Sequence, residues 1–203
     1  MPTPITTLDD LLAHYGEAVP MARAKETAVI NDAYRRLIQA APFFAVASIG
    51  PEGMDCSPRG DGPGCVQILD DHTVAFADRR GNNRLDTLRN IVVDPRVALL
   101  FLIPGWNECL RINGQALVTA DADLLDGFVV NGQRPVTAVV VRIDTMYFQC
   151  ARAIKRAGLW DAESRIDPAN LPKAGELVRS VVQDFDAKTY DAGLQERQAK
   201  TLY

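Results

Sequence analysis

The 203-residue chain has only two histidines, His14 and His72, and four scattered cysteines, Cys56, Cys65, Cys109 and Cys150. None of the cysteines stands in a CxxC pair, which excludes the usual zinc and iron–sulfur arrangements. The thiols read as reduced, structural residues of a cytoplasmic protein. No apolar run approaches the ~18 residues that a membrane span requires. The opening MPTPITTLDDLLAHYGEA has no basic segment ahead of an apolar one, so a secretory leader is not expected. Neither GxGxxG nor GxxxxGK[ST] follows a strand-like segment, which removes two common nucleotide-binding folds. Positive charge is not in excess either: the net charge of −4 gives no global attraction to nucleic acid or anionic lipid. Any site for a polyanion must therefore be local. A Ser–His–Asp set, a pair of catalytic carboxylates and an activated cysteine are likewise missing from the pattern.

What is present is a helical start, a β-rich centre and a polar, helical end. Leu8, Leu11, Leu12 and Tyr15 recur at helical spacing behind Thr6 or Thr7 as N-cap. A second segment carries Ala28, Ile30, Tyr34, Leu37 and Ile38, and Pro42 ends this regime. Strands are expected over Phe43–Ile49, Cys65–Leu69, Thr73–Ala77, Val97–Ile103, Leu110–Thr119 and Val136–Phe148. The continuous apolar run Val97–Ile103 predicts a strand covered on both faces. Leu110–Thr119 alternates instead, with Leu110 and Ile112 on one face and Arg111 and Asn113 on the other. Short helices are expected at Arg84–Ile91, Ala122–Phe128 and Lys173–Val182, with Asp186–Tyr203 as a helix on the surface or on a partner. Closely spaced strands with few long helices among them favour an antiparallel barrel over a parallel sheet.

Three segments can carry chemistry. Asp78-Arg79-Arg80-Gly81-Asn82-Asn83-Arg84 joins a strand to a short helix and concentrates three arginines beside a glycine and two asparagines. It is either an anion site, built from helix-start amides and guanidinium forks, or an exposed turn whose asparagine caps the helix. Ser57-Pro58-Arg59-Gly60-Asp61-Gly62-Pro63-Gly64-Cys65-Val66 is either a ligand-facing loop or a plain connector. In Leu110-Arg111-Ile112, Arg111 is either a barrel-surface cation or one that meets a ligand at a subunit interface.

Taken in order, AFADRRGNNRLDTLRNIVVDPRVALLFLIPG with the flanking SPRGDGPG and LRINGQA resembles the pyridoxamine 5′-phosphate oxidase-like superfamily. The nearest match is its class of FMN-dependent proteins of about this length. The likeness runs from Phe43 to Trp160. It implies a mainly β, six-stranded antiparallel split barrel with N-terminal and C-terminal helices, which dimerises and binds FMN at the subunit interface. It implies residues 1–41 as a helical extension, 42–160 as the FMN-binding domain and 161–203 as a second helical extension. By the same resemblance, Arg59 and Asp61 lie near the isoalloxazine and ribityl chain, and Ala77 and Asp78 along the flavin. Asn82, Asn83 and Arg84 hold the phosphate, Arg111 reaches the flavin or its phosphate from across the barrel, and Trp160 folds over the site of the partner subunit.

The chain departs from true pyridoxamine-phosphate oxidases, which end in a strand carrying a tryptophan and an Arg–His pair. Here Leu171–Tyr203 contains no histidine, which disfavours that specific activity. Cys65 and Cys109 replace an expected Phe and Thr. The expected function is FMN-dependent oxidoreduction of a small molecule, with a nicotinamide cofactor as candidate donor. The alternatives are a flavin carrier without turnover, or a split barrel that uses haem or deazaflavin. No metal, nucleic-acid or membrane role is expected.

Overall fold

The computed structural model describes residues 2–17, 19–81 and 83–203. Helix α1 (Leu8–Tyr15) starts at Thr7, whose hydroxyl accepts the Asp10 amide, as the capping pattern predicts. Its apolar stripe is exposed, and among the described residues α1 and α2 (Pro20–Ala24) bury no side chain. Helix α3 (Asp32–Ala40) is capped by Asn31 and places Tyr34 and Ile38 in the core. The packing of the N-terminal segment on the sheet begins near Thr27, which exchanges backbone hydrogen bonds of 3.0 and 2.7 Å with Met146.

The strands are β1 (Phe43–Gly50), β2 (Gly53–Gly60), β3 (Val66–Asp70), β4 (Thr73–Asp78), β5 (Arg96–Leu102), β6 (Cys109–Thr119) and β7 (Thr137–Gln149). They form one seven-stranded sheet in the order β2-β1-β5-β6-β7-β4-β3, with every pairing antiparallel. The sheet rolls up. Phe44 on β1 meets Phe76 on β4 with ring centroids 5.0 Å apart, although β5, β6 and β7 separate those strands along the sheet. Phe44 also stacks on Phe101 of β5 at 5.2 Å. Around these rings the interior is filled by aliphatic side chains from both halves, among them Val46, Val74, Leu99, Leu110, Ile112 and Met146. The edges β2 and β3 are not paired with each other, so the barrel is open between them.

The strand number differs from the expected six. The additional strand is β2, whose sequence GMDCSPRG follows the expected strand Phe43–Ile49 and runs into the Ser57–Val66 loop. It pairs with β1 alone, so Pro58 is tolerated opposite Ala45, and no apolar alternation is imposed. Strand β5 differs in a second way: only one face is buried, and Leu100 on the other is 37% exposed.

In β6 the pairing with β7 shifts register at Asn113/Gly114. A Cβ at Gly114 would lie 2.1 Å from the Arg142 carbonyl oxygen, so the bulge requires glycine. Helix α4 (Asp86–Val93) packs Ile91 into the core and ties itself to β1 through an Asn90-to-Ser48 hydrogen bond of 3.1 Å. Helix α5 (Ala122–Asp126) precedes β7, and α6 (Arg152–Ala157) follows it. The expected helix over Lys173–Val182 shortens to α7 (Ala174–Arg179). The last segment divides at Gly193 into α8 (Ala187–Ala192) and α9 (Leu194–Lys200). Among the described residues no helix is long and apolar enough to cross a membrane.

Candidate functional site

The gap left by the unpaired edge of β2 opens into a groove of about 1220 Å³. Residues from β2, the end of β4, the first turn of α4, the segment before β7 and the C-terminal tail line it. Arg59, Asp61, Ala77, Asp78, Asn83 and Arg84 all border it, although they are scattered over 26 positions of sequence. Asn82 lies outside the described residues. Arg111 and Trp160 do not border this groove. Arg111 sits on the outer sheet face beside Ala45, Ala98 and Leu100, with its guanidinium 5.4 Å from the Tyr147 ring. The Trp160 indole donates to the Trp106 carbonyl at 2.8 Å.

The wall on the β2 side is charged and paired. Arg79 donates through Nε to Asp61 Oδ2 at 2.8 Å, closes on the same carboxylate at 2.6 Å, and donates to the Phe128 carbonyl at 2.8 Å. The sequence reading grouped Arg79 with the phosphate-loop arginines, but the geometry makes it the clamp of Asp61. Arg59 meets Asp78 at 3.8 Å, a loose pair, and donates one terminal nitrogen to the Pro58 carbonyl at 2.9 Å. Its Nε is buried and has no hydrogen-bond partner. Burial raises the Asp78 carboxyl above its ordinary value, and Arg59 offsets only part of that. Burial and the neighbouring Asp61 charge raise the Cys65 thiol as well, so this groove cysteine is not an activated nucleophile.

On the opposite wall, the loop into α4 is bent through left-handed backbone at Asn83 (φ 58°) and Leu85 (φ 61°). Leu85 is the N-cap and offers no side-chain hydrogen bond. Asn83 is therefore not the N-cap of α4, and Asn82 lies outside the described residues. The first amides of α4 take no side-chain cap from Leu85 and lie beside Arg84, whose Nε holds Asp86 at 2.8 Å. Behind them Thr87 is buried and donates to Asp55 Oδ2 at 2.5 Å, while Ser57 donates to the same carboxylate at about 3.0 Å.

Among the groove residues that the sequence alone does not mark are two from its far end. Leu202 and Tyr203 enter the groove from the far end of the chain, and the Tyr203 hydroxyl donates to Asp61 Oδ1 at 2.8 Å. Nothing local in a polar C-terminal helix signals a contact 142 residues away. Neither histidine borders the groove: His72 instead meets the Ala28 carbonyl at 3.0 Å. Among the described residues there is no cluster of three or more His, Cys, Asp or Glu side chains able to hold a metal ion.

The chain is thus a rolled antiparallel sheet with an arginine-lined groove at its open seam, next to the start of α4. The family model described as pyridoxamine 5′-phosphate oxidase matches residues 30–150, more than half of the chain, and the chain belongs to that family. No curated protein matches it. Solved structures similar to it include HupZ from Group A Streptococcus, with 15% identity over 59% of this chain and 93% of that one and a TM-score of 0.47. General Stress Protein 26 from Bacillus anthracis shares 16% identity over 55% and 87%, with a TM-score of 0.42. An FMN-binding protein from Syntrophomonas wolfei shares 10% identity over 57% and 83%, with a TM-score of 0.44.

Proposed function

We propose that the chain is an FMN-dependent oxidoreductase acting on a small organic molecule, working as a homodimer with the flavin in the seam groove. The observation that carries this reading is the buried, unpartnered Arg59 Nε at the groove wall. An unpaired buried donor costs about 1–3 kcal/mol, and a ligand carrying carbonyl or phosphate oxygens removes that cost. The residues fit FMN. The first amides of α4, Asn83 and Arg84 suit its phosphate, and the same segment contains Asn82. Arg59 and Asp61 offer a donor and an acceptor to the polar edge of the ring and the ribityl hydroxyls. Ala77, with Phe44, Pro58 and Val136, supplies the apolar contacts that exclude water.

FMN, when bound, supplies the redox chemistry; the protein supplies position and electrostatics. Asp78, whose carboxyl burial raises above its ordinary value, borders the groove beside Arg59. The outer face of β1 and β5, with Ala45, Ala47, Ala98 and Leu100, would be covered by a second copy. In that arrangement Arg111 and Trp160 reach the partner's flavin rather than their own. Residues 42–160 then carry the barrel, with 1–41 and 161–203 as helical extensions.

The test is consumption of NADH or NADPH by the FMN-loaded protein in the presence of an electron acceptor. Turnover above that of free FMN supports the enzyme. Tight FMN binding without turnover would leave a flavin carrier in its place.

A further inference from the structure

The groove already holds one occupant that the chain supplies itself. Beyond α9 the chain enters the groove with Leu202 and Tyr203. The Tyr203 phenol donates to Asp61 Oδ1 at 2.8 Å, and its ring faces the Arg79 guanidinium at 5.6 Å. Arg79 holds the other oxygen of the same carboxylate and is itself fixed to the Phe128 carbonyl. One oxygen of Asp61 is thus taken by a built part of the barrel, and the other by a tethered residue. The tail that brings Tyr203 is lightly seated: α8 and α9 bury no side chain, and α7 buries only Gly175. The Asp61 bond also raises the phenol above its ordinary pKa, so the hydroxyl remains a donor.

We propose that Asp61 and Arg79 form a subsite for an aromatic alcohol, and that Tyr203 is its tethered plug. A ligand that uses this end of the groove must displace the tail. The chemistry is recognition of a flat ring by a guanidinium and of its hydroxyl by a fixed carboxylate oxygen. The proposal rests on the groove being the ligand site and not on the ligand being FMN.

The probe is p-cresol, the free counterpart of the tyrosine side chain, titrated by NMR into the wild-type chain, Tyr203→Ala, Tyr203→Phe and the Tyr203→Ala/Asp61→Asn double variant. Tyr203→Ala is expected to bind p-cresol at least about fivefold more tightly than wild type, because the bond to the charged acceptor becomes free. Tyr203→Phe, which keeps the ring and loses only the hydroxyl, should fall between the two and guards against a folding defect. The double variant should lose most of the gain. Equal p-cresol affinity in wild type and Tyr203→Ala, or a gain untouched by Asp61→Asn, overturns the plug. FMN added to the same set reports separately: failure of every variant to take up FMN with the p-cresol pattern intact counts against the flavin reading alone.

Discussion

At the scale of single residues, the groove depends on how each charge is held. Asp78 is the clearest case, because burial raises its pKa and Arg59 at 3.8 Å offsets only part of that effect. A carboxyl whose folded-state pKa exceeds its unfolded value binds more protons when folded, so stability falls as pH rises through that interval. Asp78→Asn should therefore be neutral to stabilising at pH 7, and its advantage over wild type should shrink towards pH 3.5, as read by thermal melts. Arg59→Met removes the offset and should lower stability at pH 7. By leaving the ligand without its buried cation, it should also weaken FMN binding about 10- to 100-fold. Arg84→Ala should lower FMN affinity by about tenfold, the loss of one exposed charge-assisted contact. That Arg80, Gly81, Asn83 and Arg84 border one groove follows from their closeness in sequence. The clamp of Asp61 by Arg79 was not legible in the sequence, since adjacent arginines look alike until a fold separates them.

At the scale of elements, the barrel is held by features that local pattern marks unequally. The alternation in β6 reads directly, with Leu110 and Ile112 inside and Arg111 outside. The bulge at Gly114 does not, because it depends on the approach of the Arg142 carbonyl from β7. Gly114→Ala should destabilise the protein by roughly 2 kcal/mol or more in urea unfolding, as a Cβ there must push one strand aside. Strand β2 was missed for the complementary reason: an edge strand that walls a polar groove has neither apolar periodicity nor a need to avoid proline.

The turn between α4 and β5 offers a pH test at the same scale. Asp94 accepts the Arg96 amide at 3.1 Å and its guanidinium, and these bonds hold its pKa at about 2. A depressed carboxyl stabilises the folded state above its unfolded pKa of ~3.9 and loses that contribution as pH falls through the folded value. The stability gap between wild type and Asp94→Asn should be full at pH 7 and largely gone by pH 2.

At the scale of the molecule, the family membership and the antiparallel sheet agree with what the ordered motifs imply, while the strand count does not. The run Val97–Ile103 suggested a strand covered twice, yet one chain covers it once and leaves Ala98 and Leu100 on an open face with Ala45 and Ala47. Composition records that the face is apolar; it does not record which copy covers it. The proposed homodimer resolves the discrepancy, and Leu100→Asp should shift the protein towards monomer in analytical ultracentrifugation at micromolar concentration. A wild-type monomer under those conditions would remove Arg111 and Trp160 from the flavin site.

The central claim is that the seam groove holds FMN. The most direct test is the visible absorption spectrum of the purified protein, with heat release and mass analysis of any chromophore. The account predicts a flavin spectrum and released FMN at about one equivalent per chain, either as isolated or after incubation with FMN. A colourless protein that also fails to take up added FMN would contradict it, leaving the barrel without its proposed ligand.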